Sequence, residues 1–229
     1  MAHILSGRVA YGVAARAAKR LVVAAALALG GTAAMAGTTI AALGDSLTQG
    51  YGLPQAEGLV PQLEAWLRER GHDVTVINAG VSGDTTAGGL SRVDWTLTPD
   101  VDAMIVALGG NDLLRGLDPA VSRANLDGIL TAADEKGVEV LLVGLSAPGN
   151  YGPDYKAEFD AIYADLSDKW NTLLEPSFMA ALEEAAGGDF GEGAARFMQP
   201  DGIHPNATGV ALIVEALGPR VEELIAQVD

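Results

Sequence analysis

Ile40-Ala41-Ala42-Leu43-Gly44-Asp45-Ser46-Leu47-Thr48 joins an apolar run to a glycine, an acid and a hydroxyl. Four apolar residues without polar alternation read as a strand buried on both faces, as in a parallel sheet. In open α/β sheets, functional groups collect where the chain leaves the carboxyl ends of such strands. Ser46 stands at that point. A hydroxyl is a poor nucleophile at neutral pH, so it needs a base within hydrogen-bond reach and a third group to fix the tautomer of that base.

The chain offers few bases. Of three histidines, His3 lies in a basic leader and His72 follows Arg68-Glu69-Arg70-Gly71 in a polar turn. His204 has a carboxylate at short fixed spacing in a loop, in Asp201-Gly202-Ile203-His204-Pro205. Three residues apart, Asp201 and His204 can share one turn, the carboxylate reaching Nδ1 while Nε2 points toward Ser46. Pro205 biases His204 away from helical angles and keeps that turn separate from the helix that follows.

Outward from Ser46, strand-like and helix-like stretches alternate. Thr38 to Leu43, Asp73 to Asn78, Ala103 to Leu108 and Val138 to Leu145 are short apolar runs of strand character. Leu59, Leu63, Trp66 and Leu67 recur at helical spacing before Gly71, and Val121, Leu126, Ile129 and Leu130 before Gly137. Phe159, Ile162, Tyr163, Leu166 and Trp170 form another core stripe. A last helix is expected from Asn206 as N-cap, with Val210, Ile213, Val214 and Leu217 inward and Pro219 interrupting or kinking it. The expected fold is three-layer α/β/α around a mostly parallel sheet. Gly187 to Gln199 is Gly-rich and aperiodic, and reads equally as a flap or a surface connection.

Two more polar clusters fall at strand ends: Asn78 to Asp84 after the second and Gly109-Gly110-Asn111-Asp112 after the third. A tetrahedral intermediate places negative charge on a former carbonyl oxygen and calls for preorganised donors. Asn111 can supply a side-chain N–H, Gly83 a backbone N–H unobstructed by a Cβ, and Ser46 its own amide. Asp45 and Asp112 are expected to cap backbone amides. Leu113 and Leu114, with Pro148 and Tyr151 on a later loop, are candidates for an apolar substrate groove.

Together these blocks resemble the SGNH, or GDSL, hydrolase superfamily: Gly-Asp-Ser-Leu, the glycine block, Gly-x-Asn-Asp and Asp-x-x-His. Matched position by position, the resemblance implies Ser46 as nucleophile, Gly83 and Asn111 as oxyanion donors, and Asp201 and His204 as the other triad members. Ser82-Gly83-Asp84-Thr85, Leu114-Arg115-Gly116 and Pro148-Gly149-Asn150-Tyr151-Gly152 are similar to the subgroup of bacterial periplasmic thioesterases, lysophospholipases and arylesterases. The resemblance implies a small flavodoxin-like fold, a monomer, no metal or cofactor, and hydrolysis of acyl esters and thioesters. Removal of O-acetyl groups from carbohydrate is the alternative activity, and a non-catalytic binding module the alternative outside enzymology.

Composition narrows the field. Thirty acids against fourteen Lys and Arg give a net charge of −16, which argues against nucleic acid as a partner. With no cysteine there is no disulfide, thiolate metal site or lipobox. Neither Gly-x-Gly-x-x-Gly after a strand nor a P-loop occurs, and Ser46 lacks the second glycine of an α/β-hydrolase elbow. Arg8, Arg16, Lys19 and Arg20 precede the apolar stretch Leu21 to Leu29, and Ala34-Met35-Ala36 offers small residues for signal cleavage. Residues 1–36 are therefore expected to be an export signal and 37–229 the hydrolase domain, periplasmic or secreted, without a stable membrane anchor and acting on small-molecule or lipid esters. Removing four basic residues and no acid would leave a charge of −20.

Overall fold

Side chains of the first strand alternate between two cores. Ile40 and Ala42 pack with one apolar cluster, Ala41 and Leu43 with the other, as a strand covered by helices on both faces must. The computed structural model of the protein describes residues 37–187 and 195–228. The expected export signal therefore lies outside the described residues, as does positions 188–194 of the proposed flap.

Five strands, β1 (Thr38–Gly44), β2 (Val74–Gly80), β3 (Ala103–Ala107), β4 (Glu139–Val143) and β5 (Leu173–Glu175), form a parallel sheet in the order β2-β1-β3-β4-β5. Ile40 is in register with both Val76 and Ala103, so β1, β2 and β3 end side by side. The helices are α1 (Ser46–Gln49), α2 (Leu59–Glu69), α3 (Thr86–Thr96), α4 (Gly110–Leu114), α5 (Pro119–Lys136), α6 (Pro153–Trp170), α7 (Ala180–Ala185) and α8 (Ala207–Ile225). One face of the sheet is covered by Leu63 and Leu67 of α2 with Ile213 and Leu217 of α8. The other is covered by Val93 of α3, Leu126 and Ile129 of α5, and Phe159 and Ile162 of α6. Full burial of each such side chain contributes about 1.5–3 kcal/mol.

Local signals account for most boundaries. Asp118 caps α5 by accepting from the Ala120 amide, Pro119 occupies its first turn, and Gly137 closes it at φ +66°. Asn206 caps α8 by accepting from the Gly209 amide at 3.0 Å. Two expectations need correction. Val121 is half exposed and Ser122 is the buried residue, because position 122, not 121, is four residues before Leu126. Pro219 does not interrupt α8, which continues to Ile225; Pro219 and Glu215, whose carbonyl it leaves without a donor, both face solvent. The glycine-asparagine motif at 109–112 opens the helix α4. Among the described residues no helix is long and apolar enough to cross a membrane.

Candidate active site

Each polar block predicted at a strand end sits in a defined local structure. Asp45 caps the short helix α1 by accepting from the Leu47 amide at 3.0 Å, which makes Ser46 the first residue of that helix. The loop after β2 carries Gly83 at φ +85°, a region that favours glycine. After β3, Gly109 takes φ +120° and turns the chain into α4, where Asn111 is the second residue. Asp201 and His204 lie on a hairpin closed by an antiparallel bridge between Met198 and Pro205, with the Gln199 amide donating to the His204 carbonyl at 2.7 Å.

The fold brings Ser46 and His204 together across 158 positions. His204 Nε2 lies 2.9 Å from Ser46 Oγ, and His204 Nδ1 lies 2.7 Å from Asp201 Oδ2. Asp201 also shapes its own turn: Oδ1 accepts from the Ile203 amide at 2.9 Å and the His204 amide at 3.0 Å. These bonds, the His204 ring first and the two amides after it, hold the Asp201 carboxyl down at about 2. An ionised Asp201 fixes the Nδ1–H tautomer and leaves Nε2 with a lone pair facing the serine.

Ser46, Gly83 and Asn111 all line one cavity of about 430 Å³. Among the described residues, the Ser46 and Gly83 amides donate to no protein acceptor. Asn111 Nδ2 donates to Asp45 Oδ2 at 3.3 Å, which occupies one of its two N–H bonds and leaves the second for a ligand. Burial pushes the Asp45 carboxyl up, and its bonds from Leu47 and Asn111 draw it partly back. Three donors around one hydroxyl can cradle an anionic oxygen.

The rest of the cavity wall is mostly apolar, although Ser82 and Ser146 also line it. Leu113 and Leu114 line it together with Leu47, Leu145, Met179 and Met198. Pro148 and Tyr151 are not among its lining residues; the Tyr151 hydroxyl instead donates to the Leu114 carbonyl at 3.3 Å, so Tyr151 braces the rim from outside. Tyr51, absent from the sequence reading, lines the cavity and lies against His204 with ring centroids 4.6 Å apart.

Supporting residues were also missed. Gln199 Nε2 donates to the Tyr51 carbonyl at 2.8 Å and the Pro205 carbonyl at 3.0 Å, tying the histidine hairpin to the serine segment. Arg92 donates to Asp84 Oδ2 at 2.7 Å and to the Ala79 and Gly44 carbonyls at 2.7 and 2.8 Å, which stitches the ends of β1 and β2 to the Gly83 loop. Neither has a local pattern, since each acts on residues distant in sequence. Among the described residues, no group of three or more His, Asp or Glu side chains is placed to hold a metal ion.

An all-parallel α/β/α sheet with a Gly-Asp-Ser-Leu turn after its first strand, and glycine, asparagine and histidine blocks converging on that serine, defines an SGNH-type ester hydrolase. Residues 42–212 match the GDSL-like lipase/acylhydrolase family. The chain belongs to that family. It is 38% identical to esterase TesA of Pseudomonas aeruginosa over 191 residues, 83% of this chain and 90% of the relative. It is 34% identical to thioesterase 1/protease 1/lysophospholipase L1 of Escherichia coli over 195 residues, 84% of this chain and 87% of the relative. The crystal structure of AlinE4, an SGNH-hydrolase family esterase, is 44% identical and superposes with a TM-score of 0.65, covering 82% of this chain and 96% of that one.

Proposed function

We propose that the protein is an exported serine esterase that hydrolyses acyl esters and thioesters through an acyl-enzyme intermediate, with Ser46, His204 and Asp201 as its triad. The observation that carries this reading is the hydrogen-bonded chain from Asp201 through His204 to Ser46 Oγ, opening into an apolar cavity. His204 Nε2 takes the proton of Ser46 as Oγ attacks the acyl carbon, and the oxyanion is met by the amides of Ser46 and Gly83 and by Asn111 Nδ2. The imidazolium, oriented and stabilised by Asp201, returns the proton to the departing alcohol or thiol. Water then repeats the sequence on the acyl-enzyme.

Oxygen and sulfur esters share the same oxyanion, so the surrounding walls decide the substrate. Leucine and methionine side chains there suit the acyl chains of arylesterase, lysophospholipase and thioesterase substrates better than an acetylated sugar. Export rests on the basic, acid-free start, the apolar stretch and the small residues ending at Ala36. The test is labelling by a fluorophosphonate. Label is expected on the wild-type chain and on Ser82→Ala, and absent from Ser46→Ala; full esterase turnover by Ser46→Ala would overturn the assignment.

A further inference from the structure

Large apolar side chains are exposed at eight of the described positions, and five of them gather at one place. Tyr51, Leu114 and Ile203 line the mouth of the cavity. Val81 immediately precedes Ser82 and Gly83, which line it as well. Tyr151 is joined to the same rim by its bond to the Leu114 carbonyl. Isolated exposed apolar residues are ordinary, and Trp95, 86% exposed near the end of α3, is one. Exposed apolar side chains collected in a collar around one opening mark an interaction surface.

Arg115 adds a charge of definite kind to this collar. It is exposed, and its Nη2 donates to the Gly83 carbonyl at 2.8 Å. Among the described residues that is its one protein acceptor and no carboxylate lies within 4 Å of it, so four of its five N–H bonds have no acceptor there. A guanidinium with its fork free pairs well with phosphate oxygens. The protein as a whole carries −16, and such a charge repels an anionic surface over a Debye length of about 8 Å at physiological salt.

We infer that the collar docks the cavity mouth onto a zwitterionic phospholipid surface, its apolar side chains entering the acyl boundary and Arg115 taking a lipid phosphate. A zwitterionic headgroup presents that phosphate without the net charge that would repel the chain. Docking in this orientation delivers an acyl ester from an aggregate directly to Ser46, and to that extent the inference rests on the esterase reading. Partial insertion of side chains and one charged headgroup contact is the usual physical basis of such peripheral attachment.

Cosedimentation of the exported, leader-free protein carrying Ser46→Ala with vesicles of phosphatidylcholine and lysophosphatidylcholine tests it without turnover. Binding is expected, and weaker binding to phosphatidylglycerol vesicles. Val81→Ser combined with Tyr151→Ser should weaken attachment about tenfold, from the apolar area lost, and Arg115→Gln about fivefold, from the guanidinium–phosphate bond lost. In the chain with an intact Ser46, Val81→Ser alone should leave turnover of a short, water-soluble nitrophenyl ester unchanged. No sedimentation, undiminished binding by the double variant, or preference for phosphatidylglycerol would overturn the docking. Vesicle binding by a wild-type chain that hydrolyses no ester would instead sink the esterase reading and leave the docking in place.

Discussion

At the scale of single residues, Asn111 and Asp201 carry the sharpest consequences. Asn111 holds one N–H on the buried Asp45 and lines the cavity with Ser46, so in the proposed mechanism Asn111→Ala removes a donor that a substrate carbonyl needs most when it becomes an oxyanion. Steady-state kinetics should show kcat lower by a factor of about 100 to 1,000 with KM changed far less. Asp201 makes a prediction about pH. Its folded value of about 2 lies below the 3.8 of the free side chain, the His204 ring contributing most and the His204 and Ile203 amides next. The stabilisation is therefore complete above 3.8 and is lost as pH falls toward 2. A carboxyl titration followed by NMR should place the Asp201 midpoint near 2; a midpoint near 3.8 would contradict the bonding described. The polar residues of the site were legible because each occurs in a compact block with few competitors, above all His204 with Asp201 three positions before it. Tyr51 was not, because an aromatic two residues beyond a short helix carries no mark of the imidazole it packs against.

At the scale of elements, the site depends on two segments held by contacts distant in sequence. The hairpin bearing His204 is tied to the Tyr51 segment by the Gln199 amide. Gln199→Leu keeps the size of the side chain and removes both bonds, so the imidazole loses its fixed distance to Ser46 while the cavity stays intact. We expect kcat and the rate of fluorophosphonate labelling to drop about tenfold at nearly constant KM, with Gln199→Glu recovering neither, since a carboxylate cannot donate to two carbonyls. The turn into α4 depends on Gly109, where a Cβ would strike the Tyr163 hydroxyl that donates to the Leu108 carbonyl at 2.9 Å. Gly109→Ala should lower thermal stability and disturb Asn111 together. The four longer strands were legible as apolar runs. β5 was not: its three residues are each only half buried at the sheet edge, so it lacks any apolar run. α3 was equally silent, because its buried positions are Thr86, Gly89 and Val93 and it shows solvent Trp95.

At the scale of the whole molecule, one buried carboxylate joins helices that share no sequence signal. Asp112 of α4 is fully buried and accepts from the Thr86 amide at 2.8 Å, the Thr86 hydroxyl at 2.6 Å and the Ser122 hydroxyl at 3.1 Å. It thereby binds the starts of α3 and α5 to the helix that presents Asn111. Asp112→Ala leaves those three donors buried without an acceptor, and chemical denaturation should show a loss of about 2–4 kcal/mol. The architecture was legible because alternating strands and helices admit few arrangements, whereas the order of strands and the pairing of helices emerge only when distant segments meet. What most directly tests the account is the site of acylation. Rapid quenching during turnover of a nitrophenyl ester, followed by peptide mass spectrometry, should find one acyl group per chain, on Ser46; acyl groups on Ser82 or Ser146, or turnover with no acylated serine, would contradict it.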